Sequence, residues 1–202
     1  MALGSATAPY ELRFDTGRIC LDLLATSHPA ERLDSVAVLR AWVTGSGLVP
    51  PGTPLTHADD SWPPAFRELR AHLGPLIRGR ATPGTPLHDR ALARVNELAR
   101  AAPPAPCAVR GEDGTLIRRL AQPPGRAALL GAVARDAVDL LTDPVARAGL
   151  RQCEGDNCPI VYLDTSRGRR RRWCSSELCG NRERVARHRH RRRAALPRTR
   201  KA

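Results

Sequence analysis

Four of the six cysteines fall in the last quarter of the chain, at Cys153, Cys158, Cys174 and Cys179. Each pair encloses four residues, and fifteen residues separate the two pairs. Two close pairs joined by a short loop are what a tetrahedral zinc site needs, because each pair folds back as a knuckle and the loop brings the knuckles together. Four thiolates fill the coordination sphere and leave no position for water, so the expected single Zn2+ is structural and not catalytic. Two disulfides or an iron–sulfur cluster would use the same four residues. A redox pair would need two intervening residues instead of four. Cys20 and Cys107 read as plain buried thiols. No Gly-rich phosphate loop, no H-E-x-x-H and no nucleophile elbow occurs, and His28, His57, His72 and His88 are scattered. The chain reads as a binding protein with no catalytic residue, not as an enzyme.

Arginine surrounds the cysteines. The chain carries 33 Lys+Arg against 20 Asp+Glu, a formal net charge of +13, and Lys201 is its one lysine. A GC-rich genome writes arginine into any protein, so the distribution matters more than the total. Residues 1–150 hold 17 cationic and 15 acidic residues, a net of +2, whereas residues 151–202 hold 16 and 5, a net of +11. Four ionised thiols and one zinc ion lower that to +9. A local field of this size marks a polyanionic partner. It comes from Arg167, Arg169, Arg170, Arg171 and Arg172 between the cysteine pairs, and from Arg182, Arg184, Arg187, Arg189 and Arg191 after them. His188 and His190 belong to the same basic surface. A membrane-surface helix would need an apolar face, and only Val185 and Leu196 are on offer. Base-stacking aromatics are scarce, since Tyr162 and Trp173 are wanted for a small core, which favours duplex DNA over single strands.

The elements that must position these residues are mainly helical. An apolar stretch spans Arg18 to Ala25, and Asp34 or Ser35 caps a helix to about Thr44. Pro50 to Pro64 reads as a loop. Phe66, Leu69, Leu73, Leu76 and Ile77 lie at helical spacing from Ala65, with a kink or break expected at Gly74-Pro75. Another amphipathic helix carries Leu87 to Ala99. Cys107–Arg110 and Thr115–Arg118 form a hairpin around Asp113-Gly114. A long helix follows Pro124 and ends near Asp143-Pro144. In the cysteine region, Ile160–Leu163 reads as a strand, Asp164–Gly168 as a turn and Arg170–Trp173 as a returning strand. Ser175 then caps a helix that holds Cys179 in its first turn. Val161, Leu163, Trp173, Leu178 and Val185 would make a very small core, so zinc would supply much of the folding free energy there. The fold class is mainly α (α+β): a helical domain with one small hairpin over 1–150, then a treble-clef-like zinc finger with a basic C-terminal helix and tail over 151–202.

The segment from Trp173 to Arg182, with its tetrad Cys179-Gly180-Asn181-Arg182, resembles the CGNR zinc finger. The likeness extends back through Cys153, Cys158 and Leu163-Asp164-Thr165-Ser166. Phe14, Gly17, Leu21-Asp22 and Thr26 resemble the opening of the ABATE domain that usually precedes this finger. The resemblance implies a stress-induced transcriptional regulator, and contact with DNA through the finger is the inference from its charge. Within the tetrad, Gly180 is expected to permit close approach of the knuckle backbone, Asn181 to hydrogen-bond the knuckle or read a base edge, and Arg182 to pair with Asp164 or contact phosphate. Duplex DNA is therefore the expected partner, with RNA or the ribosome as the alternative. The helical domain is expected to sense a small-molecule effector or to form a homodimer. The opening residues Met1–Thr7 lack a basic region followed by an apolar stretch, so no signal peptide is expected, and the expected location is cytoplasmic, at the nucleoid.

Overall fold

The computed structural model describes residues 12–79 and 82–194, with the side chains of 189–194 left out. Its helices are α1 (Ile19–Ala25), α2 (Val36–Gly45), α3 (Trp62–Ile77), α4 (Pro86–Ala99), α5 (Arg126–Thr142), α6 (Pro144–Ala148) and α7 (Asn181–Ala194). Two antiparallel hairpins interrupt them, β1 (Pro106–Arg110) with β2 (Leu116–Leu120), and β3 (Leu150–Gln152) with β4 (Val161–Leu163). The fold is thus mainly helical with two small β elements. No helix among the described residues is long and apolar enough to cross a membrane.

Helix α2 begins where local chemistry demands it. Ser35 is extended, and its hydroxyl accepts from the Val38 N–H, satisfying one of the donors a helix start leaves over. Thr85 caps α4 in the same way through the His88 N–H. Helix α3 differs from the sequence reading at both ends. It starts at Trp62, so Pro63 and Pro64 lie inside its first turn, where a missing N–H loses nothing. It also runs through Gly74-Pro75 without ending. Pro75 sits in the last turn, and the buried Ile77 keeps that turn on the core. Helix α5 ends at Thr142, next to Asp143-Pro144 as expected, and the Asp143 carboxylate also accepts from the Val145 and Ala146 N–H groups and so opens the short α6.

Helices α3, α4 and α5 pack in succession, and α1 lies across α3 and α5. The core between them is built from side chains with no exposure, among them Leu21, Trp42, Phe66, Leu73, Val95 and Leu129. Burying each such side chain stabilises the fold by roughly 1.5–3 kcal/mol. Trp42 and Phe66 meet edge to face at 5.8 Å. Cys20 is fully buried as expected, whereas Cys107 on β1 is only partly covered.

The cysteine region does not stand apart from this core. Val161 and Leu163 of β4 belong to the helical core itself. The Leu163 N–H donates to the Thr16 carbonyl at 2.8 Å, and Asp164 N–H donates to the Gly149 carbonyl at 2.9 Å. Gly17 holds a backbone φ of +91°, and a Cβ there would lie 3.2 Å from the Leu163 Cβ. A side chain at Gly17 would meet both strain and crowding at this junction. Strand β4 pairs with β3, upstream of the first cysteine, and not with Arg170–Trp173. That later segment is not a strand. It follows the knuckle through single bonds, from the Glu154 N–H to the Arg172 carbonyl at 3.0 Å and from the Tyr162 hydroxyl to the Arg171 carbonyl at 2.5 Å.

Candidate metal centre

The four cysteines converge. Cys153 and Cys158 come from the loop between β3 and β4, Cys174 from the segment after the arginine loop, and Cys179 from the turn before α7. All four are buried, and their sulfurs lie within 4.8 Å of one another. Cys174 Sγ is 3.7 Å from Cys158 Sγ and 3.6 Å from Cys179 Sγ. A tetrahedron with Zn–S bonds of about 2.3 Å spaces its sulfurs by about 3.8 Å, so the set fits one zinc ion. Disulfides do not form among the described residues, where every cysteine is free. Backbone amides face the sulfur of Cys153, from Gly155 at 3.4 Å and Cys174 at 3.3 Å. Such N–H groups stabilise thiolate and orient it towards a metal. Without metal the cluster favours thiols. A hydrogen bond with Cys158, together with burial, holds the Cys174 thiol far above its ordinary value, and burial pushes Cys179 up to about 11. Zinc binding must therefore release protons here.

The turn that delivers Cys179 is a π turn, with the Gly180 N–H bonded to the Ser175 carbonyl at 2.9 Å, five residues back. Ser175 is its cap and accepts from the Leu178 N–H at 3.2 Å, as its sequence position suggested. Gly180 does not have the role expected of it. A Cβ there would touch Ser175 and Trp173 at an ordinary 3.5 Å. The glycine at the close approach is Gly155, where a Cβ would lie 3.2 Å from the Cys179 Cβ and 3.4 Å from two ligand sulfurs. Asn181 opens α7 and is exposed. Glu183 ties that helix to the first knuckle by accepting from the Asp156 N–H at 3.2 Å.

The shell around the sulfurs also differs from the one expected. Leu178 and Val185 are 40% and 43% exposed and pack no core, while Val161 and Leu163 serve the helical domain. The metal cluster is enclosed instead by Ile160, by the fully buried Tyr162, by Ala25 at the end of α1 and by the half-buried Trp173. Burial pushes the Tyr162 hydroxyl up to about 12. The Ala25 contact is not legible in the sequence, since nothing local links residue 25 to a site that begins 128 residues later at Cys153.

The arginines divide by what they touch. Arg171 is a strut. Its guanidinium lies 4.5 Å over the Tyr162 ring and donates to the carbonyls of Trp173 at 2.8 Å, of Asp15 at 3.0 Å and of Cys174. Its backbone N–H donates to Asp164, whose other oxygen accepts from the Ser166 N–H and hydroxyl. Asp164 is thereby closed on its own loop, and the expected pairing with Arg182 is replaced by these bonds. Arg167, Arg169 and Arg170 are exposed on that loop. Arg172 pairs with Glu154 at 2.6 Å and covers one Trp173 ring contact at 5.3 Å. Arg187, from α7, reaches the same ring at 5.9 Å. Arg182 and Arg184 are exposed on α7, with Arg184 donating to the Ser176 carbonyl at 3.3 Å. His188 is exposed, while the side chains of Arg189, His190 and Arg191, and Leu196 entirely, lie outside the described residues.

Residues 17–144, more than half of the chain, match the ABATE model, described as "Putative stress-induced transcription regulator". The chain belongs to the ABATE family. Residues 150–192 of this ABATE protein match the CGNR zinc finger, and they contain all four converging cysteines. Among curated proteins none matches the chain. In this ABATE protein the finger's model begins at β3, the strand that pairs with β4, so the family match and the strand pairing start at the same residue.

Proposed function

We propose that the zinc-loaded finger binds duplex DNA and that the protein acts as a transcriptional regulator. One observation carries this reading: two arginine clusters, separate in sequence, meet at Trp173, one through Arg172 and the other through Arg187. The loop arginines Arg167, Arg169 and Arg170 and the helix arginines Arg182 and Arg184 are exposed on the two elements that meet there. Beside it opens a cleft of about 520 Å³ whose wall combines Arg170, Arg171, Arg172 and Trp173 with Ser175, Ser176 and the carboxylates of Asp15 and Glu177. Cationic side chains held on a loop and a helix grip phosphates, and they do so only if the metal holds loop and helix together. Arg171 drops out of the contact set because its guanidinium is already engaged with backbone carbonyls. Trp173 lies between guanidiniums and is half-buried, which favours the duplex over a stacked single strand.

The test is binding to a duplex and to a single-stranded RNA of equal length across a salt series. Duplex affinity should fall with a log–log slope of about −0.9 per phosphate contact. Tighter RNA binding at matched salt would replace this reading with the RNA- or ribosome-associated one. The helical domain is proposed to regulate the finger by sensing an effector or by forming a homodimer.

A further inference from the structure

The helical domain has its own cleft, far from the DNA surface in chemistry. It measures about 400 Å³ and lies between the end of α1 and one face of α3, with the start of α4 at its rim. Leu24, Pro75 and Leu87 give it an apolar lining, and Arg67, Arg70 and Arg78 add three guanidiniums. Its lining includes no carboxylate among the described residues. Arg67 lies on α3 and donates to the Leu33 carbonyl at 3.2 Å, and Arg78 caps the C-terminal end of that helix, eleven residues or about three turns further on. Arg70 is anchored, donating to the Thr26 hydroxyl at 2.7 Å and pairing with Glu31. The field at this end of α1 is positive. Burial, and then the guanidiniums of Arg13, Arg182, Arg32 and Arg78, hold the His28 imidazole below its ordinary pKa.

We propose that this cleft binds a small organic carboxylate with an apolar body. Its volume lies in the range that takes one small ligand, and an apolar lining with a few convergent polar groups is how such sites are built. The guanidiniums fit a carboxylate by planar, charge-assisted hydrogen bonds, and the apolar lining takes the rest of the molecule. The position also suits an effector. Leu24 lines the cleft, while its neighbour Ala25 packs against the metal cluster, so a ligand would touch α1 one residue from the zinc centre. The assignment rests on the effector-sensing half of the proposed function and not on DNA binding.

The test uses the zinc-loaded full chain, with octanoate as the probe and octanamide as its neutral counterpart, in titration calorimetry. The expected result is saturable one-site binding of octanoate, with octanamide at least tenfold weaker. Arg78→Gln removes a lining charge, and Leu87→Glu adds a repelling one at a 58% exposed position that the fold tolerates. Each should weaken octanoate at least tenfold. No saturable octanoate binding, equal binding of octanamide, or an unchanged affinity in either variant would overturn the proposal. The measurement needs no DNA. Octanoate binding without DNA binding leaves the cleft assigned and removes the regulator reading, whereas DNA binding without octanoate binding removes the cleft alone.

Discussion

The helical domain and the finger bury side chains for different reasons. Around Trp42, Phe66 and Leu129 the buried atoms are apolar and need only each other. Around the metal centre four of the seven fully enclosed residues are cysteines, which hold together only when a cation draws in their thiolates. A core of the first kind needs no ligand to hold it together. A core of the second kind is a switchable structure whose folding free energy arrives with the ion. The two meet at β4, where Val161 and Leu163 face the helical core and Tyr162, between them in sequence, faces the metal cluster. A strand sends alternate side chains to opposite faces, so three residues serve two cores.

Removing the metal should separate the two regions most. Chelation withdraws of order 10 kcal/mol of binding free energy. Amide protection should then vanish over Cys153–Cys158 and Cys174–Gly180 while α3, α4 and α5 stay protected in hydrogen exchange. Strand β4 should lose less than the knuckles, because the helical core still holds two of its residues. Protection retained throughout the knuckles would erase the distinction.

Truncating one buried aromatic in each core sharpens it. Trp42→Ala and Tyr162→Ala should each cost about 3–5 kcal/mol. Trp42→Ala should lower the melting temperature with zinc content unchanged. Tyr162→Ala also frees Arg171 from the ring it covers, so it should speed zinc release to a chromophoric chelator. Equal zinc release in the two variants would contradict separate cores.

Acid should act oppositely on the two regions. Asp22 accepts from the Thr16 N–H and hydroxyl, but burial pushes its carboxyl up to about 6. Its folded-state pKa lies above the unfolded value of about 3.9. Its contribution to stability is therefore complete below about pH 4 and is lost as pH rises through about 6, by up to about 3 kcal/mol. Asp22→Asn should flatten the pH dependence of the urea midpoint of the helical domain between pH 4 and 7. The finger runs the other way, since protons compete with zinc for thiolate. The smallest effect expected is Ser175→Ala, about 1 kcal/mol from a lost cap, seen as modestly weaker zinc retention.

What could be read from sequence was what local chemistry decides. Ser35 and Ser175 are caps by residue type and position, and the four cysteines declare a site by spacing. The partner of β4 could not be read that way, because Leu150–Gln152 and Arg170–Trp173 both offer short segments and only the helical core chooses between them. Five loop arginines look alike in the sequence, yet Arg171 is separated from its neighbours by a tyrosine ring and three carbonyls that tertiary structure brings to it. Gly155 carries no such signal in the sequence, because crowding at a glycine depends on what approaches it, here the Cys179 side chain.

The salt dependence of duplex DNA binding, measured with zinc-loaded protein and with the Cys174→Ser variant, tests most directly whether the metal centre organises the arginines. The zinc-loaded chain should show a steep log–log slope, near −0.9 for each phosphate held by the loop and helix arginines. Cys174→Ser should lose affinity and flatten that slope, because the loop and α7 no longer share one surface. An unchanged slope and affinity in the variant would mean that the arginines bind as an unstructured basic run and that the metal centre has no part in it.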